Sequence, residues 1–238
     1  MIGIAVPAHD EEASLPACLA ALLAAACHPA LEGEPVVVCI VLDACADGSE
    51  AVVRQHQAAF RAAGVVLAYL PVDERRVGAA RAVGAEWLLA RGARWLAFTD
   101  ADTRVAPGWL AAQLALDADA ACGTVAVDDW SPHRQQAAAL REHFATVYHD
   151  RDGHHHIHGA NLGVSAEAYR KAGGFSAVTC HEDVLLVKAL EAAGARLAWT
   201  AQPRVFTSAR TDARARGGFG DTLLTMLGGT APCGSSAA

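Results

Sequence analysis

The chain has 238 residues, of which 53% are hydrophobic, 6% aromatic and 19% charged, and its formal net charge is −7. A chain this long buries about 70% or more of the surface its unfolded form exposes, and this composition excludes an intrinsically disordered protein. The acidic balance excludes a broad surface for nucleic acid or an anionic membrane, while an anionic small ligand is still admissible where positive groups gather locally.

Residues 3–7 form a short run ending in Pro7, and 14–26 read as an Ala/Leu helix after the polar stretch His9-Asp10-Glu11-Glu12. The apolar stretch 17–27 is about half of the roughly 20 residues a membrane span needs. No basic region precedes the charge at Asp10. Neither a transmembrane segment nor a signal peptide is expected, and the protein reads as cytoplasmic. Residues 35–42 (PVVVCIVL) are continuously apolar, as in strands buried on both faces. Helix 51–63, strand 65–70, helix 77–91 and strand 95–99 follow. This alternation predicts an α/β fold with a mostly parallel central sheet, right-handed crossovers and helices on both faces.

Beyond Asp102 the pattern changes to a short helix over 107–116, a strand over 122–127 and a helix over 135–148. A segment rich in histidine and aspartate covers 149–160, before a helix from 166, another over 182–193 and a strand over 196–200. The expected organisation is one domain over 1–227, with a nucleotide-binding half (1–102) and an acceptor half (103–227), and a flexible tail over 228–238. Alanine-rich helices pack against their own sheet or a partner subunit with the same pattern, so a homodimer is compatible. The seven cysteines include no CxxC pair, which points to reduced thiols and away from a zinc or disulfide framework.

In parallel α/β sheets ligands bind outside the carboxyl ends of the strands. Three of the expected strands end in carboxylates: the first in His9-Asp10-Glu11-Glu12, the second in Asp43 to Ser49, the fourth in Asp100-Ala101-Asp102. A helix N-cap accounts for any one of them, but their convergence on one sheet edge argues against a common structural explanation. In the DxD, one carboxylate can meet a ribose or a metal-bound water while the other coordinates a divalent cation, and oxygen ligands of this kind suit Mg²⁺ or Mn²⁺ on a diphosphate.

The ordered blocks resemble the inverting glycosyltransferases of family 2, which have the GT-A fold, over about residues 2–220. Val6-Pro7-Ala8-His9-Asp10-Glu11-Glu12 is similar to the family's opening V-P-x-[YH]-N-E-E. That block wraps the nucleotide base, so the resemblance gives Pro7, Ala8, His9 and Glu11 to the donor, His9 as a stacking platform. Asp43 falls where the family has the aspartate that hydrogen-bonds the base, and Asp47 and Ser49 continue that pattern, with Cys45 in place of the usual serine. Gly78-Ala79-Ala80-Arg81-Ala82 resembles G-x-x-x-A-R-N, whose basic residue lies near the donor, which implicates Gly78 and Arg81; Ala82 replaces the asparagine. The family's DxD matches Asp100, Ala101 and Asp102, with Asp100 and Asp102 as metal ligands. The resemblance implies a nucleotide-sugar donor, a UDP-sugar by default and a GDP-sugar as the alternative.

Gly159-Ala160-Asn161-Leu162-Gly163 resembles the acceptor-lining segment, and His181-Glu182-Asp183 matches the family's E-D pair. The resemblance makes Asp183 the general base with Glu182 as neighbour or substitute, and places His158, Gly159, Asn161 and His181 on the acceptor side. Inversion by direct displacement needs one base for the acceptor hydroxyl and a metal for the departing diphosphate, without a covalent nucleophile. Arg210 and Arg214 offer guanidinium groups for the diphosphate, and the glycines at 217, 218 and 220 would let that segment close. The family's late histidine metal ligand has no counterpart beyond His181. The histidines of 154–158 invite a metal reading, but hydrogen bonding to substrate or solvent suits a loop of this spacing better.

P-loop, GxGxxG, GxSxG and HExxH motifs are absent. A sugar nucleotidyltransferase would favour a basic, glycine-rich loop after the first strand, which here is acidic. A catalytically silent nucleotide-sugar binding module is the other alternative, opposed by intact Asp102 and Asp183. The expected activity is metal-dependent sugar transfer to a small or lipid-linked hydroxyl acceptor, the latter reached by peripheral membrane contact.

Overall fold

The computed structural model describes residues 1–211; Arg214, the glycines at 217–220 and the segment 228–238 lie outside the described residues. The chain runs β1 (Ile2–Ala8), α1 (Leu15–Ala26), β2 (Val36–Asp43), α2 (Ser49–Ala62), β3 (Val66–Val72), α3 (Val77–Leu89) and β4 (Trp95–Phe98). It continues through β5 (Thr103–Val105), α4 (Trp109–Leu114), β6 (Ala120–Gly123), α5 (Ala137–Val147), β7 (Leu162–Ser165), α6 (Ala166–Lys171), α7 (Glu182–Ala192), β8 (Leu197–Thr200) and β9 (Val205–Thr207). The central sheet has the order β3-β2-β1-β4-β7-β6-β8. Among the described residues only β7 runs against the other strands of this sheet, pairing antiparallel with both β4 and β6.

Period-two alternation explains why β2 is apolar throughout. Val36, Val38, Ile40 and Leu42 join the core formed with Leu15, Leu19 and Leu22 of α1 and Phe60 of α2. Val37, Cys39 and Val41 face the opposite core, with Ala80 and Leu88 of α3 and Leu186 and Leu190 of α7. A strand with helices on both faces needs apolar side chains on both. Pro7 is tolerated in a central strand because β4 pairs only with Ile2–Ala5, so Pro7 lies beyond its reach.

The first hundred residues follow the expected order, and the second half departs from it. The strand expected over 122–127 is β6, two residues earlier, and Ala126 instead bridges to Phe206. The helix expected from 135 begins at Ala137, after a short 3-10 turn over Ser131–Gln136. β7 and the β5–β9 ribbon were not anticipated, since three or four residues carry too little periodicity to read. Trp109 and Tyr169 are fully buried core residues. The six described cysteines are free, and among the described residues no helix is long and apolar enough to cross a membrane.

Candidate active site

The loops after β1 and β2 are laced together at the carboxyl edge of the sheet. Asp10 Oδ1 accepts the N–H groups of Ala46 (2.7 Å) and Asp47 (3.2 Å), Asp47 Oδ2 accepts that of Glu12 (2.9 Å), and Glu12 accepts that of Gly48 (2.9 Å). Asp10 and Ala44 hold positive φ of 52°, a conformation that bends each loop sharply after its strand. His9 is exposed, and its Nδ1 donates to the Asp43 carbonyl at 2.7 Å. The buried Asp43 carboxylate accepts three backbone N–H groups, from Glu74 (2.7 Å), Arg75 (2.9 Å) and Arg76 (3.2 Å). Asp43 thus anchors the approach to α3.

Arg81 is the hub of the site. It is 4% exposed, and its guanidinium bridges Glu182 through Nη1 and Asp100 through Nη2. Burial acts against its charge, but Asp100, Glu182 and Asp183 outweigh that and hold the group above its ordinary range. Burial pushes Glu182 up, and Arg81 counteracts it. Two glycines make the bridge possible. A Cβ on Gly78 would lie 2.7 Å from Glu182 Cβ and from the Ser176 carbonyl, and one on Gly159 would overlap the Arg81 guanidinium. Gly159→Ala is therefore expected to lower stability by about 1–3 kcal/mol through overpacking, measured by urea denaturation.

A second arginine holds the other side. Arg210 binds both carboxylate oxygens of Glu11 (2.8 and 2.7 Å), and its Nε lies 3.1 Å from Asp102 Oδ2. The DxD sits in the turn between β4 and β5, not on the strand itself, with the Thr103 N–H bonded to the Asp100 carbonyl at 3.1 Å. Burial, then Asp100, raise Asp102 to about 7 against the pull of Arg210. A cavity of about 230 Å³ opens beside Asp102, lined among others by Ser14, Arg104, Asp128 and Phe206.

Asp183 lies at the start of α7, after His181 at φ 62°. Its Oδ2 accepts the Gly159 N–H at 2.9 Å, and His158 is close enough to feel its charge. The side chain of His181 is exposed. Asn161 is not brought to the cleft: its Oδ1 accepts from Trp109 Nε1 (2.8 Å) and its amide donates to the carbonyls of Thr124 (2.6 Å) and Pro203 (2.8 Å). Pro7 and Ala8 contribute backbone at the end of β1, and Ala101 is buried between the two aspartates. The residue that sequence reasoning missed is Tyr148, whose hydroxyl lies 2.9 Å from His158 Nε2; an aromatic residue directly before a histidine-rich loop was the available signal.

A family model described as Glycosyl transferase family 2 matches residues 3–173. The chain belongs to that family. No curated protein matches it in sequence. Among solved structures it is similar to S. aureus TarS 1-349, with a TM-score of 0.60 and 13% identity over 87% of this chain and 60% of that one. It is also similar to the mannosyltransferase PcManGT of Pyrobaculum calidifontis in complex with GDP-Man and Mn²⁺, with a TM-score of 0.63 and 20% identity over 97% of this chain and 65% of that one. A nucleoside-diphosphate-sugar pyrophosphorylase of Vibrio cholerae shares the fold at a TM-score of 0.50 and 9% identity, over 88% of this chain and 96% of that one. The chain thus spans less than two thirds of the first two, and the likeness establishes the GT-A fold.

In this family 2 chain the matched segment carries Asp43, Arg81, Asp100 and Asp102, and ends before Glu182, Asp183 and Arg210. Spatial contact alone joins the later residues to it. The charge distribution suits a hard divalent cation. Five carboxylates, of Glu11, Asp100, Asp102, Glu182 and Asp183, meet two guanidinium groups, of Arg81 and Arg210, which leaves negative charge in excess. Asp100 and Asp102 are the donors of the right chemistry. The histidines of 154–158 do not converge on a metal-sized site among the described residues; the group that does is Asp10, Cys45 and Asp47. Its members already serve the loop, since Asp10 accepts two N–H groups there and Cys45 Sγ donates to the Ala8 carbonyl at 3.3 Å.

Proposed function

We propose that the protein is a metal-dependent, inverting glycosyltransferase that moves a sugar from a nucleoside-diphosphate sugar to a hydroxyl acceptor, with a UDP-sugar favoured and a GDP-sugar as the alternative. The observation that carries this reading is the Arg81 bridge, which joins Asp100 of the DxD to Glu182 at the head of the helix bearing Asp183. A neighbour of the same fold in complex with GDP-Man and Mn²⁺ supports a nucleotide-sugar donor and a divalent metal.

Asp183 accepts the proton of the acceptor hydroxyl as that oxygen bonds to the anomeric carbon and the bond from that carbon to the diphosphate breaks. The Gly159 N–H fixes one carboxylate oxygen at 2.9 Å, so the base keeps a single orientation. Arg81 ion-pairs with Glu182, whereas the described hydrogen bonds of Asp183 come from backbone N–H groups, that of Gly159 on Oδ2 and that of Val184 on Oδ1 at 2.8 Å. Arg210, aligned by Glu11, brings a positive charge to the Asp102 side. A divalent cation held by Asp102 and Asp100 would neutralise charge on the departing diphosphate.

UDP or GDP with Mn²⁺ is expected to raise the melting temperature by about 5 °C or more at a hundredfold excess over Kd. Asp102→Ala is expected to remove that shift. No shift with either nucleotide, or the same shift in the presence of a chelator, would overturn the donor site.

A further inference from the structure

Residues 148–159 contain a stack of imidazoles that sugar transfer leaves unexplained. The ring of His156 lies over that of Tyr148, with centroids 4.3 Å apart and an interplanar angle of 13°. The rings of His154 and His158 lie 5.6 and 6.1 Å from His156. Trp199 of β8 closes the outer side, 5.9 Å from His154 and 4.9 Å from His155.

Hydrogen bonds set the protonation state of this stack. His154 Nδ1 accepts the N–H of His156 at 3.0 Å, while its Nε2 faces the carbonyls of Cys122 (3.1 Å) and Thr200 (3.3 Å). His156 Nε2 accepts the N–H of His149 at 3.2 Å. A backbone N–H can only donate, so those ring nitrogens carry no proton and both imidazoles are neutral. The Tyr148 hydroxyl accepts the Val125 N–H at 2.8 Å and lies 2.9 Å from His158 Nε2. A proton added to His154 Nδ1 or His156 Nε2 would set donor against donor, and protonation of more than one ring of the stack would place cations about one ring spacing apart.

Each nearby anion has hydrogen-bond or ion-pair partners of its own, and Asp152 and Asp183 also lie close enough to His154 and His158 to interact with them. Asp150 is held by Thr124 Oγ1 and Arg204, Asp152 by Thr200 Oγ1 (2.7 Å) and the Ala201 N–H (2.9 Å), and Asp183 of α7, which faces His158, by the Gly159 N–H. Arg204 adds a positive charge beside Tyr148. Burial and the surrounding histidines depress His156, and burial holds His158 down to about 4 against the opposing pull of Asp183. The unfolded chain takes up protons at these rings near pH 6.5, above the folded values. The stabilisation is therefore complete above about pH 6.5 and is lost as the pH falls toward the folded values.

We propose that the His154–His156–His158 stack is a proton-sensitive latch that positions Asp183. While its rings are neutral it holds the loop against Tyr148 and Trp199 and presents the Gly159 N–H to the carboxylate; proton uptake releases the loop and withdraws that N–H, leaving the base held by the Val184 N–H of its own helix. The role of Asp183 as base rests on the glycosyltransferase reading, whereas the latch does not.

The test follows the Gly159 amide by hydrogen exchange between pH 8 and pH 5, corrected for intrinsic rates, with Trp199 fluorescence alongside. Gly159 is expected to lose protection at least tenfold, with the same midpoint as the fluorescence change, while amides of β1 and β2 keep theirs. His156→Gln supplies an acceptor oxygen that does not titrate; it is expected to lower that midpoint and leave protection at pH 8 unchanged. Constant Gly159 protection, or a wild-type midpoint in His156→Gln, would overturn the latch. Should that variant fail to fold, ¹⁵N shifts of the wild-type imidazoles decide: His154 and His156 staying neutral through the transition overturns the proposal, and their protonation at its midpoint supports it. UDP release from UDP-glucose falling at the same midpoint supports the link to Asp183, and a separate midpoint overturns it. A latch transition with no turnover of UDP-glucose or GDP-mannose at pH 8 would instead overturn the glycosyltransferase reading.

Discussion

Asp183→Asn is expected to lower turnover by about 10²–10⁴-fold, the range of a lost general base, with nucleotide binding intact. Asparagine keeps a carbonyl oxygen for the Gly159 N–H that Asp183 Oδ2 now accepts and gives up the bond from the Val184 N–H to Oδ1, a change confined to the start of α7. What disappears is the capacity to take a proton. UDP release from UDP-glucose and GDP release from GDP-mannose measure the loss, and the melting-temperature shift with Mn²⁺ and nucleotide checks that the donor side is unaffected. Glu182→Gln serves as the comparison, because its carboxylate is already tied to Arg81 and its replacement should act mainly on stability. Unchanged turnover in Asp183→Asn would move the base elsewhere.

Arg81→Met is expected to destabilise the fold by about 3–5 kcal/mol, the usual cost of leaving buried charges without their partner. The methionine fills much of the same volume but strands Glu182 and Asp100 without their cation. Arg81→Lys should recover only part of the loss, since one ammonium cannot reproduce a planar fork placed between two carboxylates. Adding Glu182→Gln to Arg81→Met should restore some stability, and a double-mutant cycle in urea measures that coupling. A loss below about 1 kcal/mol in Arg81→Met would show that the bridge contributes little to the fold. The same substitution is also expected to remove transfer, because Arg81 ties the DxD turn to the helix that carries Asp183.

The strands β1 to β4 and the three helices between them were legible in sequence because each is long enough to show its period, and because β2 is apolar on both faces. Asp100, Asp102, Glu182 and Asp183 were legible through their motifs. The partners of these carboxylates were not. Arg81 and Arg210 were both expected to face a donor, yet one bridges Asp100 to Glu182 and the other joins Glu11 to Asp102. Asn161 stood in an acceptor-like block, yet its amide is engaged by Trp109, Thr124 and Pro203. Side-chain pairing depends on which segments meet across the sheet edge, and linear spacing does not encode it.

By itself the sequence determined the α/β order, the carboxyl-edge loops and the residue types available for chemistry, because hydrophobic period and turn residues act locally. Only the tertiary structure decided that β7 runs against its neighbours, that β5 pairs with β9, and that Arg81 spans 101 positions of chain to reach Glu182. It likewise decided that His154, His156 and His158 stack beside Tyr148. Each of these depends on long-range packing, in which a buried charge or ring nitrogen must find its partner wherever the fold brings one within hydrogen-bond reach.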